Sequence, residues 1–121
     1  MSLKAYKAAQ VATEDPRVTE YRLFGQVTGA LLNAKESKAA GAPLVDAVDW
    51  NRRLWSTLGA DCSTKDNALP APLRASIISL SIWVGKYTST VIRREDDIDA
   101  LIDVNRIIMQ GLVGAGAAAA A

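Results

Sequence analysis

The sequence predicts an all-α protein, a small bundle of about five helices without a β-sheet. Apolar residues recur at three- and four-residue steps along the chain, which is the period of an amphipathic helix. Half of the 121 residues are hydrophobic, which is enough for one modest core. We therefore expect one helical domain over residues 1–112. Residues 113–121 contain only Gly and Ala after Val113, so they are predicted to form a disordered tail.

The first two helices are predicted from their start signals. Ser2 is suited to cap a short, alanine-rich helix over residues 2–12. Asp15 and Pro16 form a second start signal, because a capping residue followed by proline opens many helices. This second helix is predicted to extend to about Lys38. Its apolar positions are Phe24, Val27 and Leu31, with Tyr21 and Leu23 beside them.

Two glycines, Gly25 and Gly29, lie inside the second predicted helix. Each glycine costs about 1 kcal/mol relative to alanine in a helix interior. We therefore expect either a bend of the helix or the close approach of another backbone at these positions, and we favour close packing.

A third helix is predicted over residues 44–58, after the break at residues 41–43 (Gly-Ala-Pro). Its apolar residues form two stripes, which indicates contacts on two sides of the helix. Gly59 is expected to end the helix. Residues 59–72 are polar and contain proline, so they are expected to form a surface loop that includes Cys62.

The last two helices are predicted from long apolar series. The fourth carries Leu73, Ile77, Leu80, Val84, Tyr87 and Val91, and further apolar residues widen this stripe, so it is expected to be the central helix. The fifth is predicted over residues 97–112, with Gly111 and Gly114 at its end. Residues 93–97 (RREDD) lie between these two predicted helices. The basic residues come at the C-terminal end of the fourth helix and the acidic residues at the N-terminal end of the fifth, where each helix dipole favours that charge. A charged docking site is the alternative interpretation of this segment.

The composition disfavours catalysis. The chain has no histidine and one cysteine, so it lacks the most common general base and cannot form an internal disulfide. It contains no glycine-rich phosphate loop, and the spacing of its aspartates fits no EF-hand. We therefore predict a protein that is not an enzyme and that uses neither a cofactor nor a metal.

Charge and hydropathy narrow the class of partner. A net charge of +1 offers no basic surface, which argues against direct binding of nucleic acid. No stretch approaches the roughly 18 apolar residues needed to cross a bilayer, and the start of the chain does not resemble a signal peptide. We expect a cytoplasmic protein that binds other proteins.

The segment DWNRRLW at residues 49–55 carries the most concentrated binding signal. Trp50 and Trp55 point about 140° apart on a helix, so both cannot face the same core. Trp55 continues the apolar series of its helix and is assigned to the core, whereas Trp50 is assigned to a partner-facing surface. Because tryptophan and arginine dominate binding hot spots, the predicted partner-binding residues are Ala47, Trp50, Arg52, Arg53 and Leu54.

The same residues allow a purely structural interpretation. Both tryptophans could pack within the molecule while the arginines pair with Asp46 or Asp49, and composition does not decide between the two interpretations. Asn51 and Asn105 interrupt apolar faces. We expect both asparagines to be buried, hydrogen-bonded and important for helix register.

Four blocks of the sequence, taken together and in order, resemble the FlaF family of alphaproteobacterial flagellar regulators. They are YRLF at 21–24, DWNRRLW at 49–55, IISLSIWV at 77–84 and LIDVNRIIMQGL at 101–112. The resemblance covers residues 2–112 and leaves the alanine-rich tail outside. It implies a cytoplasmic role in flagellin biosynthesis, and it brings no catalytic residues with it.

The resemblance implies two kinds of activity. FlaF-like proteins act with the regulator FlbT on flagellin production, and they bind flagellin as export chaperones. A flagellin-binding chaperone or adaptor is the leading hypothesis, because a helical protein with surplus apolar faces suits an amphipathic flagellin helix. The alternative is a post-transcriptional regulator that acts on flagellin synthesis through a partner such as FlbT or on flagellin messenger RNA.

Overall fold

The computed structural model describes residues 16–120, with side chains from residue 20 to residue 113, and this part of the chain forms four helices. They are α1 (Pro16–Glu36), α2 (Ala42–Cys62), α3 (Ala71–Ile92) and α4 (Asp99–Ala120). No strand occurs among these residues, so the predicted all-α fold is confirmed. The helix predicted over residues 2–12 lies outside the described residues. Within residues 16–120, no helix is long and apolar enough to cross a membrane.

The helices pack in a cycle of unequal contacts. α2 packs most extensively against α3, and α1 packs against both α2 and α4, whereas α3 and α4 contact each other much less. The largest fully buried side chains are those of Trp55 and Phe24, whose rings meet edge to face with centroids 5.2 Å apart. Other buried apolar side chains are those of Val27, Leu31, Val48, Leu58, Ile77, Val84, Leu101, Ile102, Ile108 and Leu112.

α2, and not α3, contributes most to the core between these two helices. The buried residues of α2 are Leu44, Val48, Asn51, Trp55, Leu58, Gly59 and Cys62, whereas α3 buries Ile77, Val84, Thr88 and Val91. The prediction that α3 is the central helix is therefore wrong. Its wide apolar stripe leaves several side chains only half-buried.

The predicted end of α2 at Gly59 is also wrong. The helix continues to Cys62, and Gly59 is a buried residue that lets α3 approach closely. A Cβ atom at Gly59 would lie only 2.5 Å from Ser81 Oγ and 2.9 Å from Ser81 Cβ. The connection to α3 is correspondingly shorter than predicted, and Cys62 lies buried in the last turn of the helix and not in a loop.

Gly25 and Gly29 do not have the close-packing role that we favoured for them. A Cβ at Gly25 would make ordinary contact with Met109 at 3.8 Å, and a Cβ at Gly29 would meet no atom of another residue within 4 Å. α1 runs through both positions as one helix from Pro16 to Glu36. The close helix approach that a glycine enables occurs at Gly59, on α2.

α4 does not end at Gly111 or Gly114 as predicted, because it continues to Ala120. Alanine has the highest helix propensity of all residues, and a run of alanines offsets the cost of the glycines among them. A domain of residues 1–112 with a disordered tail at 113–121 stays a prediction.

Candidate partner-binding surface

The two tryptophans of α2 face opposite environments, as predicted. The side chain of Trp55 is 0% exposed and lies in the core, whereas that of Trp50 is 43% exposed. Because residues five apart on a helix point about 140° apart, one tryptophan can fill the core while the other reaches the surface. The assignment of Trp55 to the core is therefore confirmed.

Trp50 forms part of a groove between α1 and α2, which we call the Trp50 groove. Its volume is about 390 Å³, and it is lined by Ala30, Asn33, Ala34, Ser37, Ala39, Pro43, Asp46, Ala47 and Trp50. Most of these side chains are small, so they leave an open channel between the two helices. The large, half-exposed ring of Trp50 at one edge is the kind of side chain that anchors protein interfaces.

Two of the five predicted residues, Trp50 and Ala47, line this groove. Leu54 is half-buried and packs against the core beside it. Arg53 is exposed, and it lies about 60° from Trp50 around the helix. Arg52 lies about 200° away and therefore points to another side of α2. The structure thus brings together the apolar members of the predicted site but not both arginines.

Both arginines pair with Asp49, as the structural interpretation of this motif predicts. Arg52 Nη2 lies 2.7 Å from Asp49 Oδ1, and Arg53 Nε lies 2.8 Å from Asp49 Oδ2. The hydrogen bond from Arg52 and the nearby charge of Arg53 lower the pKa of the Asp49 carboxyl group. Exposed pairs of this kind contribute little to stability. They hold the two guanidinium groups beside one carboxylate on the surface of α2.

Behind the groove, a buried polar network joins three helices. Trp55 Nε1 donates a hydrogen bond of 2.7 Å to Asn105 Oδ1 on α4. Asn105 Nδ2 donates in turn to Asn51 Oδ1 on α2 at 2.7 Å and to Thr28 Oγ1 on α1 at 3.2 Å. The predicted burial and hydrogen bonding of both asparagines are confirmed. This network fixes the rotation of α2, and so it also fixes the direction in which Trp50 points.

Sequence reasoning missed two members of this network. Thr28 belongs to the apolar face of α1, next to Val27, and no local signal marks it as a hydrogen-bond acceptor. The indole nitrogen of Trp55 required a partner once this residue was assigned to the core. That requirement could have suggested Asn105, although the two residues are 50 positions apart in the sequence.

Cys62 has the properties of a structural thiol. Burial raises its pKa to about 11, and the nearby carboxylates of Glu20 and Asp61 act in the same direction. A thiol protonated at neutral pH is a poor nucleophile. Cys62 belongs to the hydrophobic core, where its side chain packs among buried apolar residues.

Two ion pairs lie near the connection between α3 and α4, one within the connecting segment and one between α1 and α4. Arg93 Nε lies 3.1 Å from Glu95 Oε1, and Lys35 Nζ on α1 lies 2.7 Å from Asp99 Oδ1 in the first turn of α4. The acidic start of α4 agrees with the dipole interpretation. The bases do not fall in the last turn of α3, because that helix ends at Ile92.

Comparison with known proteins gives one finding on identity. The family described as flagellar protein FlaF matches residues 2–112 of the chain, which confirms the resemblance noted in the four sequence blocks. Comparisons with curated proteins and with solved structures gave no match.

Proposed function

Because the chain belongs to the FlaF family of flagellar proteins, we propose that it is a cytoplasmic, flagellin-binding chaperone or adaptor that supports flagellin production and export. The observation that carries this proposal is the Trp50 groove, in which an exposed tryptophan borders a channel of small residues between two helices. The family supplies the flagellar context, and the groove supplies a surface for binding.

The physical requirement for such a chaperone is a surface that covers an apolar helix face. Flagellin carries terminal amphipathic helices that become buried in the filament, and their apolar faces are exposed before assembly. A helix can lay its apolar face in a groove between two others, where a few anchor residues supply most of the affinity. Trp50 is the proposed anchor, and Ala47 is the small residue that allows close approach.

The alternative activity is regulation of flagellin synthesis through an FlbT-like partner or on messenger RNA. Direct RNA binding requires clustered free bases, because phosphate contacts supply most of the affinity. The adjacent bases Arg52 and Arg53 are both paired with Asp49. This pairing favours a protein partner as the target of the surface around Trp50.

The first experiment mixes the purified chain with monomeric flagellin, with an FlbT-like regulator and with flagellin messenger RNA in three separate arms. Co-elution with flagellin at a ratio of about one to one supports the chaperone proposal. Co-elution with the regulator or the RNA, without any flagellin complex, contradicts it and supports the regulatory alternative.

A further inference from the structure

The Trp50 groove carries its charge at a single position, Asp46. The other residues that line the groove are apolar or neutral, namely Ala30, Asn33, Ala34, Ser37, Ala39, Pro43, Ala47 and Trp50. Asp46 is exposed, and its carboxylate makes no hydrogen bond or ion pair with any residue that the structure describes. The groove therefore presents one unpaired negative charge to its occupant.

Asp46 differs in this respect from Asp49, which lies three residues further along α2. Both carboxylate oxygens of Asp49 are engaged, Oδ1 by Arg52 Nη2 at 2.7 Å and Oδ2 by Arg53 Nε at 2.8 Å. The two arginines of the motif are thus paired on the surface of α2 and leave the carboxylate of Asp46 without a cation. A cation supplied by a binding partner can reach this carboxylate without breaking an existing ion pair.

The helix dipole does not explain the presence of an acidic residue at this position. Negative charge is favoured near the N-terminus of a helix, but the effect falls off within the first turn. α2 begins at Ala42 and has no acidic residue in its first turn, and Asp46 follows that turn. The charge of Asp46 is therefore not placed to stabilise α2.

The geometry of α2 brings Asp46 and Trp50 together in the groove. The two residues are four positions apart, so their side chains lie on the same face, one turn from each other. Side chains in a helix lean toward its N-terminus, so the ring of Trp50 leans toward the turn that carries Asp46. Both side chains line the groove, and Trp50 is 43% exposed.

A carboxylate beside an exposed indole ring suits a basic side chain. The ring covers the aliphatic stem of a lysine or arginine and attracts its positive charge. The carboxylate accepts a charge-assisted hydrogen bond from the ammonium or guanidinium group at the end of that stem. Asp46 and Trp50 supply both halves of such a site from one helix face.

We propose that Asp46 and Trp50 together bind one lysine or arginine side chain of the helix that occupies the Trp50 groove. The inference rests on the proposed function, in which that helix belongs to flagellin, and it adds a requirement for a basic residue beside the apolar stripe of the helix. The groove extends along α2 from Pro43 to Trp50, which is about 10 Å, so it contacts about two turns of the occupant. An amphipathic helix with an acidic residue at this position is repelled by Asp46, which makes Asp46 a determinant of specificity.

The first experiment titrates monomeric flagellin into the unaltered chain, Asp46→Asn and Asp103→Asn by calorimetry, at about 50 mM and about 300 mM salt. Asp103 is the matched control, because it is an exposed, unpaired aspartate on α4 that does not line the groove. Asp46→Asn is expected to bind about three- to tenfold more weakly at low salt, with a smaller difference at high salt. Asp103→Asn should stay within about twofold of the unaltered chain. Circular dichroism checks that both variants are folded, which we expect because both side chains are exposed.

The second experiment identifies the basic residue by double-mutant cycles. Each lysine and arginine in the terminal helices of flagellin is replaced singly by glutamine, and each flagellin variant is titrated into the unaltered chain and into Asp46→Asn. We expect one replacement to weaken binding to the unaltered chain by about threefold or more and to leave binding to Asp46→Asn unchanged. That non-additivity is a readout that a purely structural role of Asp46 would not produce.

The outcomes separate this inference from the proposed function. Undiminished affinity of flagellin for a folded Asp46→Asn variant, together with weaker binding to Trp50→Ala, overturns the role of Asp46 and leaves flagellin binding at the groove intact. The role of Asp46 is also overturned if every replaced base weakens binding to the unaltered chain and to Asp46→Asn by the same factor. Absence of any binding of flagellin to the unaltered chain overturns both the inference and the proposed function.

Discussion

Trp55 Nε1 and Asn105 Oδ1 are joined by a buried hydrogen bond of 2.7 Å that links the interior of α2 to the interior of α4. Asn105 Nδ2 also donates hydrogen bonds to Asn51 Oδ1 on α2 and to Thr28 Oγ1 on α1. The side chain of Asn105 therefore makes hydrogen bonds with three other buried side chains. Asn51 contributes less, because its Nδ2 atom has no hydrogen-bond partner among the described residues. The two asparagines are therefore unequal in their expected effect on stability.

We predict that Asn105→Ala lowers the free energy of unfolding by about 3 kcal/mol or more, because it leaves the indole nitrogen of Trp55 buried without an acceptor. Asn51→Ala is expected to cost less, because it removes a single hydrogen bond. Urea denaturation followed by circular dichroism measures both, with Gln110→Ala on the exposed side of α4 as the control. A larger loss for Asn51→Ala than for Asn105→Ala would show that Asn105 is not the centre of the network.

Substitution of two glycines by alanine is predicted to act in opposite directions. Gly59→Ala would place its Cβ 2.5 Å from Ser81 Oγ, and we expect it to destabilise the protein by about 1–3 kcal/mol. Gly29→Ala adds its Cβ to open space within α1, and we expect it to stabilise by about 0.5–1 kcal/mol. Thermal melts of both variants provide the check. A neutral Gly59→Ala would mean that α2 and α3 do not approach as closely as described.

The tryptophans are predicted to differ in their effect on folding. Trp55→Ala removes a fully buried ring and should cost about 3–5 kcal/mol, a large part of the stability of a small domain. Trp50→Ala truncates a half-exposed ring and should cost much less. Chemical denaturation of the two variants in parallel gives the comparison. Equal losses would contradict the assignment of one tryptophan to the core and the other to the surface.

The buried thiol of Cys62 predicts a pH dependence of stability. Its pKa is raised from 9.0 to about 11 in the folded protein, chiefly by burial. Between these two values the unfolded chain releases the proton and the folded chain retains it, so the free energy of unfolding falls as the pH rises. The contribution is fully present below pH 9.0.

Denaturation curves at pH 8, 9 and 10 for the unaltered chain and for Cys62→Ala test this dependence. The unaltered chain is expected to lose stability more steeply over this range than Cys62→Ala, because the variant has no thiol that could ionise on unfolding. Parallel curves for the two proteins would show that Cys62 is not buried in the folded state.

The helical fold could be predicted from the sequence because it depends on local periodicity. The series from Leu73 to Val91 and the placement of Trp55 in the core follow from helical spacing alone. The end of α2 could not be predicted in this way. In the sequence, a glycine that ends a helix cannot be distinguished from one that allows close helix packing. Only the position of Ser81 on α3 shows that Gly59 allows α2 and α3 to pack closely.

The candidate surfaces were predictable only in part. Helical phase indicated that Trp50 faces away from the core, but the groove also requires knowledge that α1 lies beside α2. The pairing of both arginines with Asp49 was an open alternative that only side-chain geometry could decide.

Binding of flagellin to the Trp50 groove can be measured by isothermal titration of monomeric flagellin into the unaltered chain and into Trp50→Ala. We predict binding at about one to one, and a loss of about 2 kcal/mol or more of binding free energy in the variant with its fold retained. Undiminished affinity of flagellin for a folded Trp50→Ala variant, or the absence of any binding to the unaltered chain, would contradict the claim.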